Sequence, residues 1–255
     1  MRSLNVLVTG GASGIGFGIA EKLAANGMHV VIADLNESAA KHASETITAL
    51  GLSCSYVQVN VCDAEQVAAL PEQLKNTPID VLVNNAGIQH VSRLEDFPAQ
   101  KWQQLINVML VGPALLTQAF LPHMRHQNFG RIVNVGSIHS VIASPFKSAY
   151  VAAKHGLLGF AKTVALETGD CDVTINTLCP AYVKTPLVEQ QITAQSIENG
   201  ISEEEVINKI MLEPMPKKAF IEINELAETA AFLLSDAAKN ITGQTLILDG
   251  GWTCR

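Results

Sequence analysis

Short apolar runs alternate with amphipathic stretches from the first residues onward. The runs Leu4–Thr9, Met28–Asp34, Cys54–Val59, Ile79–Val83, Arg131–Gly136, Val173–Cys179 and Gln244–Leu248 are rich in Val and Ile. They are mostly apolar at successive positions, as strands buried on both faces must be. Between them the spacing predicts helices over Gly14–Asn26, Glu37–Leu50, Ala64–Asn76, Ala99–Gln127, Ala149–Glu167 and Ile223–Leu234. Strand–helix alternation implies right-handed βαβ units. The fold class expected is α/β, a doubly wound Rossmann-type parallel sheet with helices on both faces. No linker or internal repeat divides the chain, so residues 1–255 are read as a single domain. The polar segment Pro186–Lys218 breaks the rhythm. It is expected to be helical in two pieces, with a Pro214–Met215–Pro216 break. It follows a strand whose C-terminal end should face a ligand, so a substrate lid over 186–218 is expected.

Composition narrows the class. With 48% hydrophobic and 16% charged residues the 255-residue chain suits a globular enzyme. A net charge of −7 without a basic cluster argues against nucleic acid. No apolar run approaches the roughly 20 residues of a membrane span. The segment before the first glycine is too short for a signal peptide. A cytoplasmic protein with no membrane partner is therefore expected. The cysteines are odd in number, five, and form no C-x-x-C pair. They read as small core residues, and no metal site is expected.

The first strand runs directly into Thr9-Gly10-Gly11-Ala12-Ser13-Gly14-Ile15-Gly16, which opens a helix. Glycines permit a tight turn and close approach to a pyrophosphate, and the helix N-terminus offers free N–H groups. The second strand ends at Asp34. A carboxylate there accepts from the adenosine ribose hydroxyls and repels a 2′-phosphate, so NAD is expected over NADP. An Asp34 acting only as a helix cap is less needed, because Asn36 can serve. Tyr150 and Lys154 are spaced i, i+4 and share a helix face. A free tyrosine, with a pKa of about 10, is a poor base near neutrality. A neighbouring ammonium and a positive nicotinamide ring favour the phenolate. Ser137, at the end of the fifth strand, can hydrogen-bond a substrate oxygen.

These motifs, in this order, resemble those of the short-chain dehydrogenase/reductase family along the whole chain. Asn84-Asn85-Ala86-Gly87 adds to the match. The resemblance implies a seven-stranded sheet and a homotetramer. It implies Tyr150 as acid/base, Lys154 on the nicotinamide ribose, and Ser137 orienting the substrate. It also implies a cofactor site made of Gly10, Ser13, Gly14, Ile15, Gly16 and Asp34. Asn60, Val61, Asn84, Ala86 and Gly87 continue that site, and Tyr150, Lys154, Pro180, Val183 and Thr185 complete it. Three positions depart from the family pattern. Met109 stands where the family usually has an Asn that helps hold a water linked to the lysine. Asn107, two helical positions away, is expected about 200° round the helix. Asn60 replaces a common Asp, and Pro180-Ala181 replaces the usual Pro-Gly.

Within the family, the chain is similar to the bacterial D-3-hydroxybutyrate dehydrogenases. The similarity rests on Asn84 to His90, Leu94 to Pro98, Lys147 to Gly156, Thr185 to Ile192 and Asp249-Gly250-Gly251-Trp252-Thr253. It implies that Gln89, His139, Lys147 and Gln191 bind a substrate carboxylate. A small hydroxy acid does need charge-assisted donors near the reacting carbon, and Lys147 is the natural cation. Gln191 would descend from the lid. The expected reaction is NAD-dependent, reversible oxidation of D-3-hydroxybutyrate to acetoacetate. The alternatives are the same chemistry on another small alcohol, sugar or acyl thioester, or an NAD-binding regulatory protein weakened by Met109.

Overall fold

The computed structural model describes residues 4–254. Its parallel strands are β1 (Asn5–Thr9), β2 (His29–Asp34), β3 (Cys54–Gln58), β4 (Val81–Asn84), β5 (Gly130–Val135), β6 (Val173–Pro180) and β7 (Thr245–Leu248). They form one seven-stranded sheet in the order β3-β2-β1-β4-β5-β6-β7. The order reverses between β1 and β4, and that crevice, at the C-terminal strand ends, is where open α/β sheets bind ligands. The helices are α1 (Gly14–Ala25), α2 (Glu37–Ala49), α3 (Ala64–Gln73), α4 (Ala99–Ile106), α5 (Gly112–His126), α6 (Ser148–Glu167), α7 (Pro186–Asn199), α8 (Glu203–Val206) and α9 (Ile223–Leu234).

Alternate strand residues feed two cores. Val6, Val8, Val30 and Ile32 pack with Ile19 and Leu23 of α1 and Leu233 of α9. Leu7, Val31, Leu82 and Ile132 pack with Leu70 of α3, Phe120 of α5 and Val164 of α6. This two-sided burial explains the continuous apolar runs. Asn36 caps α2, its side chain accepting from Ala39 N at 3.1 Å. Asp34 is thereby left free of that duty.

Two sequence expectations need correction here. The stretch Ala99–His126 is 28 residues long and apolar enough, by length and composition, to cross a membrane. It is a core helix: Leu105, Leu116, Phe120 and Met124 are buried along it. It is also not wound uniformly. A π turn over Asn107–Val111 joins α4 to α5. The segment after β6 is helical in two pieces, α7 and then α8 with a second π turn over Ile207–Met211. Ile192, Val206 and Met211 form its own small core.

Candidate active site

The glycine loop has the conformation its residues allow. Gly10 and Gly14 have φ of +59° and +55°, where a side chain is strained. A Cβ on Gly10 would also lie 2.9 Å from the Ala86 Cα. Asn85 fastens this loop to β4. Its Nδ2 donates to the carbonyls of Thr9 and Gly10, each at 3.0 Å. The Thr9 hydroxyl accepts from Asn85 N and Ala86 N at 3.0 and 3.1 Å. The first turn of α1 carries no acidic residue, and Ser13 makes no side-chain cap. Its N–H groups are therefore available to an anion.

A cleft of about 1240 Å³ opens above the loop. Gly10, Ser13, Gly14, Ile15, Asp34, Asn60, Val61, Ala86, Gly87, Tyr150, Lys154 and Thr185 line it. Asp34 sits at its β2 edge and is steadied by Ala12 N at 3.3 Å and Asn36 N at 3.1 Å. The glycine cradle, free helix N-terminus and carboxylate together fit a nicotinamide dinucleotide. Some expected cofactor residues lie elsewhere. Asn84 is buried at the end of β4, its Nδ2 donating to Asn134 Oδ1 at 2.9 Å, and it does not line the cleft. Asn85 does. Gly16 is also absent from the wall: a Cβ there would strike Asn85 Nδ2 and the Gly10 carbonyl, so it lets α1 pack close to the loop. Pro180 and Val183 line a smaller neighbouring cavity instead.

That cavity, of about 130 Å³, shares Ile15, Gly136, Tyr150 and Thr185 with the cleft. Ser137, Gln89, His139, Lys147 and Gln191 all line it. These residues come from β4's loop, the 3₁₀ turn Ile138–Ser140, the start of α6, and α7. Lys147 Nζ lies 3.5 Å and Ser144 Oγ 3.4 Å from His139 Nε2. Burial, then the charges of Lys147 and His155, holds the His139 pKa down at about 4, so its ring is neutral near pH 7. Burial also lowers the pKa of Lys147. Among the described residues, buried atoms Gln89 Oε1 and His139 Nδ1 lack a hydrogen-bond partner. Such atoms call for a ligand or water, and an amide turned end for end would offer its NH₂ in place of Oε1.

Sequence reasoning missed one wall of the cavity. Tyr182 lines it and stacks on Trp252, ring centroids 6.0 Å apart at 23°. Trp252 in turn meets His139 edge-on at 6.4 Å. The aromatic after Pro180-Ala181 was the available signal, but its pairing with the chain's far end has no sequence mark.

The reacting groups meet where cleft and cavity join. Burial raises the Tyr150 pKa, and a hydrogen bond with the Ser137 side chain pulls it back down. Ser137 Oγ accepts from His139 N at 3.2 Å, and Ser140 Oγ accepts from Ser137 N at 3.2 Å. With its acceptor side engaged, the Ser137 hydroxyl has its proton to give. Lys154 Nζ donates to the Val135 carbonyl at 2.7 Å and lies 5.8 Å from the Tyr150 ring centre. Burial lowers its pKa to about 8, against a smaller opposing effect of Cys179.

Met109 is 1% exposed and packs with Leu105, Ala149, Ala153 and Tyr150. Asn107 does not face away from it. Both line the cleft, at the stretch where the helix winds as a π turn over Asn107–Val111. Asn107 Oδ1 accepts from Gln103 Nε2 at 2.9 Å. Among the described residues no group of three or more His, Cys, Asp or Glu is placed to hold a metal ion.

A family model described as enoyl-(acyl carrier protein) reductase matches residues 10–253. The chain is 43% identical to D-beta-hydroxybutyrate dehydrogenase of Rhizobium meliloti, over 98% of each chain. It is 40% identical to the protein of that name in Cupriavidus necator, over 98% of this chain and 97% of the other. It is 38% identical to an uncharacterized oxidoreductase of Bacillus subtilis over the full length of both. With the sheet order, the glycine loop and the joined cleft and cavity, these full-length matches establish that the chain belongs to the short-chain dehydrogenase/reductase family of NAD(P)-dependent oxidoreductases.

Proposed function

We propose that this enzyme oxidises D-3-hydroxybutyrate to acetoacetate, reversibly, with NAD. The observation that carries the reading is the small cavity beside Tyr150 and Ser137, with Lys147, His139, Gln89 and Gln191 in its wall. A carboxylate leaving water needs a paired charge and hydrogen bonds, and Lys147 with the amides offers them. A volume of about 130 Å³ suits a small acid better than an acyl thioester. The likeness to the two D-beta-hydroxybutyrate dehydrogenases supports the same choice.

In this reading the glycine loop, Asp34 and Lys154 would hold NAD, which would supply the hydride acceptor. Tyr150, as phenolate, takes the hydroxyl proton. Ser137 donates to the substrate oxygen and keeps it against Tyr150. Lys154 holds the nicotinamide ribose and favours the phenolate. Asp34 selects NAD over NADP by accepting from the adenosine ribose. The chain from 1 to 255 acts as one NAD-binding and catalytic domain, with 186–218 as a lid that brings Gln191 onto the carboxylate. The assembly is a homotetramer, as the family resemblance implies. Five free cysteines suit a reducing cytoplasm.

The test is NADH absorbance with a panel of 3-hydroxy acids, sugars, secondary alcohols and 3-hydroxyacyl thioesters. D-3-hydroxybutyrate should give the highest kcat/KM. A thioester or sugar ahead of it would overturn the substrate assignment.

A further inference from the structure

The reading of Tyr150 as acid/base leaves a proton to account for. Each oxidation leaves the substrate's hydroxyl proton on the Tyr150 oxygen, while NAD would supply the hydride acceptor. That proton must reach solvent before the next turnover. On the Lys154 side the surroundings are poor in carriers. Lys154 is 4% exposed and spends one N–H on the Val135 carbonyl. Met109, in the apolar cluster that Tyr150 packs against, offers only a thioether, a weak acceptor. Burial raises the pKa of the Cys179 thiol, which keeps its proton.

The opposite side of Tyr150 is different. The His139 ring stands edge-on to the Tyr150 ring, centroids 6.1 Å apart at 88°. His139 is 4% exposed, and among the described residues its buried Nδ1 has no partner, beside the cavity that both residues line. Its Nε2 faces Ser144 Oγ at 3.4 Å and Lys147 Nζ at 3.5 Å. Ser144 and Lys147 are half-buried on the loop between the 3₁₀ turn and α6, at the edge of solvent. One ring nitrogen is thus buried without a partner among the described residues, while the other meets two half-buried polar groups.

We propose that His139 relays the proton between Tyr150 and solvent, in addition to any contact it makes with the substrate. In the oxidation direction the Tyr150 proton crosses the cavity through a water to Nδ1. Nε2 gives up its own proton to Ser144 Oγ, whose hydroxyl proton leaves to solvent. The imidazole ends neutral in its other tautomer, and a turn of the ring returns it to the first before the next oxidation. Reduction runs the same steps backward. The neighbours Lys147 and His155 disfavour a lasting imidazolium, which suits a group that passes a proton on rather than storing it. Lys147 stays cationic throughout and keeps its role toward the carboxylate.

The experiment is chemical rescue. His139→Ala should lower kcat about tenfold to a hundredfold, within what general acid/base catalysis contributes. Added imidazole should restore much of that kcat without moving KM for the hydroxy acid. The rescue should strengthen with the basicity of substituted imidazoles. His139→Gln, which keeps hydrogen-bonding capacity but cannot carry a proton, should lose kcat similarly. If His139→Gln keeps full kcat, or if imidazole lowers KM and leaves kcat alone, His139 is a binding group only and the relay is wrong. Tyr150→Phe run in parallel separates the two readings. Turnover surviving that substitution removes Tyr150 as acid/base, whereas an inactive Tyr150→Phe together with a His139→Ala whose kcat imidazole does not restore removes the relay alone.

Discussion

Lys147 Nζ and His139 Nε2 lie 3.5 Å apart in the wall of the small cavity. With the histidine neutral near pH 7, the lysine is the cation available to a carboxylate there. Lys147→Ala should therefore lower kcat/KM for 3-hydroxybutyrate about tenfold to a hundredfold, the worth of a hydrogen bond to a charged group. Part of the loss should fall on kcat, because remote binding energy also positions the carbinol carbon. NAD affinity should hardly change. Slow oxidation of butan-2-ol, which has no carboxylate, should be nearly indifferent to the substitution. Equal losses on both substrates would mean that Lys147 supports the fold or Tyr150 instead.

The cofactor preference depends on Asp34. The native enzyme should favour NAD in kcat/KM, and Asp34→Ala should erode the preference by about one to two orders of magnitude. The substitution removes ribose acceptors and the repulsion of a 2′-phosphate together. Comparison of both cofactors on both proteins checks this. An unchanged ratio would relieve Asp34 of the role.

Tyr150→Phe keeps the ring and deletes the proton carrier. Less than roughly a tenth of the activity should remain, since acid/base catalysis contributes about 10²–10⁴-fold. NAD binding, followed by fluorescence titration, should be largely retained.

His139 also makes a stability prediction. Its pKa in the folded protein is about 4, below the model-peptide value of 6.5. Between those values the unfolded chain binds the extra proton, so stability rises with pH. Acidification from pH 6.5 toward 4 should lower the Tm, and His139→Gln should flatten part of that slope. Identical Tm profiles for the two proteins would contradict the buried neutral imidazole.

Much of this molecule is legible in sequence because the signals are local. Val- and Ile-rich runs buried on both faces mark each strand, and the order of glycine loop, Asp34, Ser137, Tyr150 and Lys154 marks the chemistry. What escapes is set by geometry that leaves the pattern unchanged. The π turn at Asn107–Val111 lies inside an amphipathic stretch whose pattern gives no sign of it, and Asn107 lines the cleft there beside Met109. Asn84 and Asn85 are adjacent amides. Strand alternation sends the first into the sheet against Asn134 and leaves the second to hold the glycine loop. The Tyr182–Trp252 stack joins residues from distant elements, which no periodicity predicts.

The central claim is that the cavity beside Tyr150 is built for a free carboxylate. The most direct measurement compares kcat/KM for D-3-hydroxybutyrate with that for its methyl ester, using NAD and the unmodified enzyme. The ester keeps the carbinol, the methyl end and nearly the same shape, and loses the charge. The acid should be favoured by at least about tenfold, in keeping with one charge-assisted hydrogen bond. An ester that matches or surpasses the acid would contradict a carboxylate site built around Lys147.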